Sequence, residues 1–291
     1  RVSLAPMLSP KGRLIGDFTI SCLGEEEFQL TSSYGYQSVH ERWLRRHLEA
    51  GIDIENISDR RTGFQIAGPM ARNVLAEVTR ADVSAESFLF MDVKRMTVGM
   101  CDCIVQRLSY TGDLGYEIYT DAMDQRSLWD TLFAAGQKHG MRPFGMRAMM
   151  SLRLEKFFGS WLSEFSPDYT PAETGMDRFV AFNKGADFIG RSAVVAERQS
   201  GAARKLVMFE VDADDADAVG YEPVWIDGEV KGFCTSGGYS HTAQKSIALA
   251  LVDVASLSDD LEAKIEILGD MRPARRIHQM LFDADGARMR G

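Results

Sequence analysis

The sequence lacks long apolar runs and is poor in cysteine. No stretch of the 291 residues approaches the ~20 consecutive apolar residues of a membrane-spanning helix, so we expect none. The four cysteines, Cys22, Cys101, Cys103 and Cys234, form no C-x-x-C pair, and no histidine cluster accompanies the single C-x-C. Such spacing is a poor zinc site, so we predict no metal. We interpret the cysteines as buried thiols of a reducing compartment and expect a cytoplasmic protein.

The sequence also lacks the usual phosphate-binding motifs and any excess of positive charge. Neither G-x-G-x-x-G nor G-K-[ST] occurs, so no nucleotide site is indicated. A net charge of −9 argues against nucleic acid or an acidic membrane surface as partner. A local basic pocket remains compatible with this charge, so an anionic small molecule stays open as a substrate. Apolar residues make up 45% of the chain, which is ordinary for a soluble globular protein with a sizeable core.

The periodicity of apolar residues predicts an α+β fold. Strand-like and helix-like stretches alternate without the regular rhythm of βαβ units, with helices predicted at 37–50, 128–138 and 144–156. The alternating stretch at 52–57 predicts a strand. After residue 203 the sequence changes to six short strand patterns separated by Gly and Asp turns, which predicts a small β-barrel.

We therefore predict two domains, an α+β body over residues 1–200 and a β-barrel over residues 203–291. The chain begins at Arg1, without an initiator methionine or a signal peptide, in what looks like a strand already in progress. We expect that an N-terminal part of the body precedes Arg1.

The stretch from Gln106 to Tyr119 predicts a hairpin, with Thr111–Gly115 as its glycine-containing turn. Glu117 stands out because it lies inside the second, β-branched and aromatic strand. Two interpretations remain open. Glu117 is either a solvent-facing residue of an amphipathic hairpin or a carboxylate at the edge of a pocket that binds paired N–H donors.

Asp17 is the second unusual carboxylate. Aspartate is a poor strand residue, yet Asp17 lies between apolar residues of a strand predicted over 14–23. It is either a satisfied turn or bulge residue, or a functional carboxylate whose pKa is set by desolvation and hydrogen bonds. In the helix predicted at 144–156, Arg153 is expected to form an internal ion pair with Glu155 or Glu173.

Six short motifs occur in a characteristic order: Gly12-Arg13-x-x-x-Asp17, Tyr110-Thr111-Gly112-x-x-Gly115-x-Glu117, Ser151-Leu152-Arg153-Leu154-Glu155-Lys156, Thr170-Pro171-x-Glu173-x-Gly175, Asp187-Phe188-Ile189-Gly190 and Thr235-Ser236-Gly237-Gly238-Tyr239-Ser240. With them the chain resembles the folate-dependent aminomethyltransferases. That family includes the glycine-cleavage T-protein and the C-terminal halves of dimethylglycine and sarcosine dehydrogenases and of dimethylglycine oxidase. The resemblance implies a multi-unit folate-binding body with a small C-terminal barrel.

The resemblance also implies an activity. The chain would transfer a one-carbon unit from a methylated amine or aminomethyl donor to tetrahydrofolate, giving 5,10-methylene-tetrahydrofolate. Asp17 matches the family's catalytic aspartate, and Glu117 matches the glutamate that binds the pterin ring. Further cofactor-binding positions implied by the resemblance are Tyr110, Thr19, Arg147 and Tyr239. FAD is expected only if a separate upstream domain or subunit carries it, and a flavin domain or subunit is then a partner.

Three alternatives remain open. The chain could be a folate-dependent demethylase of a sulfonium compound, a folate-binding protein without catalysis, or a module that only docks the flavin domain of a larger dehydrogenase. Asp17 discriminates between the catalytic and the non-catalytic interpretations, because a protein that only binds folate has no need of a catalytic carboxylate.

Overall fold

The computed structural model describes residues 1–259 and 261–291. Over that part of the chain, none of the helices has the length and apolarity needed to span a membrane. The chain divides into two compact units. Unit 1 comprises Arg1–Leu4, Thr19–Met146 and Asp285–Gly291, and unit 2 comprises Ala5–Phe18 and Arg147–Ala284.

The N-terminal strands form a three-stranded sheet. The strands are β1 (Val2–Leu8), β2 (Leu14–Cys22) and β3 (Phe28–Thr31), in the order β1-β2-β3. β2 and β3 are antiparallel, and Thr19 lies opposite Thr31. The division between the two units falls inside β1 and β2, so Asp17 belongs to unit 2 and Thr19 to unit 1.

Unit 1 is built on a four-stranded antiparallel sheet with helices beside it. The strands are β4 (Arg61–Ala67), β5 (Val93–Val98), β6 (Cys101–Gln106) and β7 (Gly115–Asp121), in the order β4-β7-β6-β5. The helices are α1 (Gln37–His47), α2 (Ala71–Val78), α3 (Gln125–Gln137) and, close to the end of the chain, α7 (Ala287–Arg290).

The core of unit 1 determines which way β7 faces. Tyr116 and Ile118 are fully buried and belong to one hydrophobic cluster with Leu75 of α2 and Leu128 of α3. Successive side chains of a strand point to opposite faces of the sheet. Glu117 must therefore lie on the face opposite this cluster, and this placement defines the candidate site below.

Three local predictions in unit 1 are wrong. Residues 52–57 form no strand, and their isoleucines are not buried, since Ile52 is 55% exposed. Alternation over six residues produces a strand only when a partner strand supplies hydrogen bonds, and no neighbour does so here. The helix predicted at 37–50 ends at His47, because Leu48 is already extended. Cys22 is exposed, whereas the other three cysteines are buried as expected.

Unit 2 contains a closed barrel and three helices. The helices are α4 (Met146–Glu155), α5 (Pro171–Thr174) and α6 (Arg191–Ser200). The barrel strands are β8 (Arg204–Val211), β9 (Pro223–Ile226), β10 (Glu229–Ser240), β11 (Lys245–Asp253), β12 (Glu262–Ile267) and β13 (Asp270–Ile277), in the order β10-β11-β8-β13-β12-β9. Closure gives every strand two neighbours and leaves no sheet edge. The predicted six-stranded barrel is confirmed, and the domain limits at residues 200 and 203 stay a prediction.

A buried polar network joins α4 to β10 within unit 2. The Arg153 guanidinium donates to Glu164 Oε2 at 2.8 Å, and both side chains are completely buried. Glu164 Oε1 also accepts hydrogen bonds from the hydroxyls of Thr235 and Ser236. The prediction that Arg153 pairs with Glu155 or Glu173 is wrong.

Those two glutamates have other partners. Glu155 accepts from the Ser240 hydroxyl at 3.0 Å, which ties the end of α4 to the end of β10. Glu173 accepts from Arg204 at 3.0 Å and from the Thr170 amide at 3.0 Å, the latter as part of the capping box of α5. Three of the six sequence motifs are therefore explained by interlocking buried hydrogen bonds of unit 2.

Candidate active site

Glu117 lies half-buried in the middle of β7. The Tyr119 hydroxyl, two residues along the same strand and on the same face, donates to Glu117 Oε2 at 2.7 Å. This is the only hydrogen bond that the carboxylate makes with residues whose positions the structure describes. Its remaining lone pairs can therefore accept hydrogen bonds from a ligand. The half-buried position of Glu117 does not fit the solvent-facing interpretation, and its role at a pocket stays a prediction.

Burial raises the pKa values of both Glu117 and Tyr119. Loss of hydration raises the pKa of Glu117, and the hydrogen bond from Tyr119 lowers it in part. The pKa of Tyr119 is raised well above its usual value, first by burial and then by the neighbouring Glu117. A hydrogen bond with the Thr31 side chain opposes that rise. Tyr119 therefore keeps its proton and acts as a fixed donor to the carboxylate.

Two glutamines flank Glu117 on the neighbouring strands. The strand register places Gln65 of β4 directly opposite Glu117 on one side and Gln106 of β6 directly opposite it on the other. Gln106 is fully buried and Gln65 is half-buried. Sequence reasoning missed Tyr119, Gln65 and Gln106 as site residues. The period of two along β7 could have indicated Tyr119, but the glutamines follow only from the register.

Thr19 and Tyr110 are the other predicted site residues of unit 1. Thr19 of β2 lies opposite Thr31 of β3, and the Thr31 side chain is one of the groups that act on the pKa of Tyr119. Tyr110 is half-buried in the turn between β6 and β7.

Backbone geometry and close neighbours explain why this turn contains glycine at two positions. Gly112 has φ +80°, a left-handed conformation that favours glycine. At Gly115 a Cβ atom would lie 2.7 Å from Ser109 Cβ and 3.1 Å from the Ile66 carbonyl oxygen. Only glycine lets the chain enter β7 so close to these neighbours, and this approach places Glu117 two residues later.

Asp17 lies half-buried on β2, between the buried residues Gly16 and Phe18. Burial raises the pKa of its carboxyl group, and a hydrogen bond from its own backbone N–H lowers it in part. A carboxylate whose pKa is raised toward neutrality is suited to proton transfer. β2 is a continuous strand here, so the alternative that Asp17 is a turn residue is not supported.

The last two predicted residues belong to unit 2. Arg147 is exposed in the first turn of α4. Tyr239 of β10 is 40% exposed, its ring meets His241 edge-on with 5.2 Å between centroids, and its backbone carbonyl accepts from Ser151 of α4 at 2.7 Å. The structure thus places Glu117, Tyr110 and Thr19 in unit 1, and Asp17, Arg147 and Tyr239 in unit 2.

Comparison with known proteins covers nearly the whole chain. The family model for the GCVT N-terminal domain matches residues 1–184, and that for the glycine cleavage T-protein C-terminal barrel domain matches residues 204–283. Dimethylglycine dehydrogenase of Homo sapiens is 38% identical over 99% of this chain, and that of Mus musculus is 37% identical. The chain spans 34% of the length of each of these dehydrogenases.

An aminomethyltransferase of Geobacillus sp. is 33% identical over 95% of this chain and 76% of its own length. The crystal structure of glycine cleavage system aminomethyltransferase T from Bartonella henselae superposes with a TM-score of 0.85 at 22% identity, over 98% of this chain and 76% of that one. This likeness confirms the predicted fold. The sequence resemblance is confirmed as well: the chain belongs to the glycine cleavage T-protein family, in both its N-terminal domain and its C-terminal barrel.

Proposed function

We propose that this chain is a tetrahydrofolate-dependent aminomethyltransferase. It would transfer a one-carbon unit from an aminomethyl donor to tetrahydrofolate, with release of the amine, and so form 5,10-methylene-tetrahydrofolate. A methylated amine would serve as donor only after a flavin in a separate domain or subunit has oxidised it by two electrons to the iminium. The observation that carries the proposal is Glu117, a half-buried carboxylate held by Tyr119 on the face of β7. A carboxylate in this position can accept two hydrogen bonds from the 2-amino-pyrimidinone edge of a pterin.

The residues around Glu117 fit such a group. Both side-chain polar atoms of Gln106 and the amide nitrogen of Gln65 are buried without hydrogen-bond partners in the described part of the chain, as expected beside a polar ligand site. When bound, tetrahydrofolate supplies the ring and side-chain nitrogens that take up the one-carbon unit. Glu117 would bind and orient the pterin, Tyr119 would fix the carboxylate, and Thr19 and Tyr110 would contact the same ligand.

We assign Asp17 the catalytic role. Its carboxylate would stabilise the positive charge that develops on the amine donor and would accept and return a proton at that nitrogen. The raised pKa of Asp17 supports this role because it brings the carboxyl group closer to the pH at which proton transfer in both directions is fast.

The remaining assignments concern the ends of the ligand and the larger assembly. Arg147 is an exposed cation and could pair with the anionic glutamyl tail of folate, and Tyr239 offers a partly exposed ring for contact. We place FAD, if the whole protein uses it, in a separate domain or subunit, since human dimethylglycine dehydrogenase extends well beyond this chain.

The test is the affinity of Glu117→Gln for 5-formyltetrahydrofolate, measured by titration calorimetry. The substitution keeps the shape of the side chain and removes the charge that accepts the N–H donors. We expect the binding free energy to weaken by about 1.5–3 kcal/mol, the range for hydrogen bonds to a charged group.

The matched control is Asp121→Asn, which removes an exposed carboxylate from the same strand. It should leave the affinity unchanged, because the Asp121 ion pair with Arg61 is solvent-exposed and 3.8 Å long. Equal affinities of Glu117→Gln and the unmodified chain would rule out the proposed site. Tight folate binding without methylene-tetrahydrofolate formation from any amine donor would indicate the non-catalytic alternative.

A further inference from the structure

Glu117 is the centre of a row of three polar side chains on adjacent strands. Gln65, Glu117 and Gln106 lie directly opposite one another across β4, β7 and β6. Residues paired in this way place their side chains on the same face of the sheet. The two glutamines therefore flank the carboxylate on the face opposite the hydrophobic cluster of unit 1.

Gln106 is the member of this row that lacks an obvious structural role. It is fully buried, and among the residues that the structure describes, neither its amide oxygen nor its amide nitrogen has a hydrogen-bond partner. Ile104, two residues earlier on β6 and on the same face, is buried and apolar, so an apolar side chain would suit this environment. A buried amide without partners costs stability, and such groups in folded proteins call for an explanation.

The carboxylate beside it has room for one more donor. A carboxylate accepts about four hydrogen bonds in all. Tyr119 provides one donor to Glu117, and the paired N–H groups of the ligand would provide two. Directly opposite residues have Cβ atoms about 4.5–5.5 Å apart, so a glutamine side chain can reach the glutamate by rotation about its own bonds. Gln65 could do the same, but it is only half-buried, so solvent reaches part of its side chain.

We propose that Gln106 is a positioning residue of the folate site. Its amide nitrogen donates to the charged Glu117 carboxylate and fixes the orientation in which that carboxylate accepts the paired N–H donors of the pterin. Gln106 thereby acts on the ligand through Glu117, and the fourth acceptor position of the carboxylate is filled. This inference rests on the proposed function, because it assumes that Glu117 binds the pterin edge.

The test compares Gln106→Met in two backgrounds, with 5-formyltetrahydrofolate as the probe and titration calorimetry as the measurement. In the otherwise unmodified chain we expect Gln106→Met to weaken binding about 10- to 100-fold, the range for losing a hydrogen bond to a charged group. In a Glu117→Gln background the same substitution should add less than about threefold, because residues that act through one another are not additive.

A thermal melt separates this role from a structural one. Methionine has a similar shape and no amide, so Gln106→Met should leave the midpoint of unfolding unchanged or raise it. The control is Gln137→Met, which changes an exposed glutamine at the end of α3 and should alter neither quantity. Should Gln106→Met fail to fold, Gln106→Asn keeps the amide but shortens its reach, and it should weaken binding in the same way.

Each outcome of these measurements either supports or overturns the positioning role of Gln106. Unchanged affinity of Gln106→Met, or an equal loss in both backgrounds, would overturn the positioning role. A loss of affinity seen only together with a lowered melting midpoint would assign Gln106 a structural role and overturn the proposal. If Glu117→Gln itself leaves the affinity unchanged, the proposed function fails rather than this inference alone.

Discussion

At the scale of single residues, the proposed function assigns roles to two carboxylates, Glu117 in unit 1 and Asp17 in unit 2. Burial raises the pKa of both Asp17 and Glu117. The Tyr119 hydroxyl donates to Glu117 and lowers the pKa of that carboxyl group in part, which suits a carboxylate that stays charged and oriented. The raised pKa of Asp17 suits a carboxyl group that gains and loses a proton during the reaction.

Asp17→Asn tests the catalytic assignment. Asparagine preserves the shape of the side chain but cannot carry the negative charge or take a proton. We expect most of the folate affinity to remain and the rate of one-carbon transfer to fall by about two to four powers of ten. Single-turnover formation of methylene-tetrahydrofolate is the measurement. A variant with an unimpaired rate and a lowered melting midpoint would show that Asp17 is structural.

Tyr119→Phe tests how Glu117 is kept charged. The Tyr119 hydrogen bond lowers the pKa of Glu117, so its removal should raise that pKa further. The charged form needed to accept the N–H donors exists above the pKa and is lost as the pH falls through it. The pH at which folate affinity is half-lost should therefore move upward in the variant. Titrations at a series of pH values provide the measurement, and an unmoved midpoint would contradict the proposed coupling.

At the scale of secondary-structure elements, α4 and β10 are held together by buried charge. Arg153 on α4 and Glu164 in the following loop are completely buried, and Thr235 and Ser236 of β10 also donate to Glu164. Removing one partner of such a pair leaves an uncompensated buried charge, which is far more costly than losing an exposed pair. The network fixes the start of the Thr235–Ser240 segment that carries Tyr239.

Glu164→Gln should therefore lower the free energy of unfolding by about 3–5 kcal/mol. Chemical denaturation followed by fluorescence or circular dichroism provides the measurement. The control is Asp130→Asn, which breaks the exposed ion pair with Arg126 on α3 and should cost at most about 0.5 kcal/mol. Equal effects of the two substitutions would show that the buried network does not stabilise unit 2.

At the scale of the whole chain, each unit has hydrophobic cores of its own. The cluster around Tyr116 and Ile118 lies in unit 1, and the interior of the barrel, with Phe209, Val224 and Ile265 fully buried, lies in unit 2. The two family models likewise match an N-terminal domain and a barrel. The chain spans 34% of the length of human dimethylglycine dehydrogenase, so that enzyme contains much more than the matching region.

We expect the purified chain to bind folate. We also expect it to contain no flavin, since its sequence has no dinucleotide-binding motif. The measurement is the visible absorption spectrum of the protein and of the supernatant after denaturation. Addition of free FAD should leave the folate affinity unchanged. Stoichiometric flavin in the purified chain would contradict our placement of FAD in a separate domain or subunit.

Much of this architecture follows from the sequence. The period of two in 115–121 predicts β7, because a strand buried on one face needs alternating side chains. The short apolar runs between Gly and Asp turns after residue 203 predict the barrel strands. The ordered motifs identified the family. The alternating pattern at 52–57 gave a wrong strand prediction, because alternation does not specify whether a partner strand exists.

The sequence by itself determined most of the elements, the family and the choice of Asp17 and Glu117 as candidate residues, since these depend on local periodicity and on short motifs. Only the tertiary structure decided which distant residues meet. Gln65, Gln106 and Glu117 are brought into one row by strand register, and Arg153 pairs with Glu164 rather than with Glu155 or Glu173. Register and buried pairing are set by packing of the whole sheet and core, where a shift of one residue would turn each side chain to the opposite face.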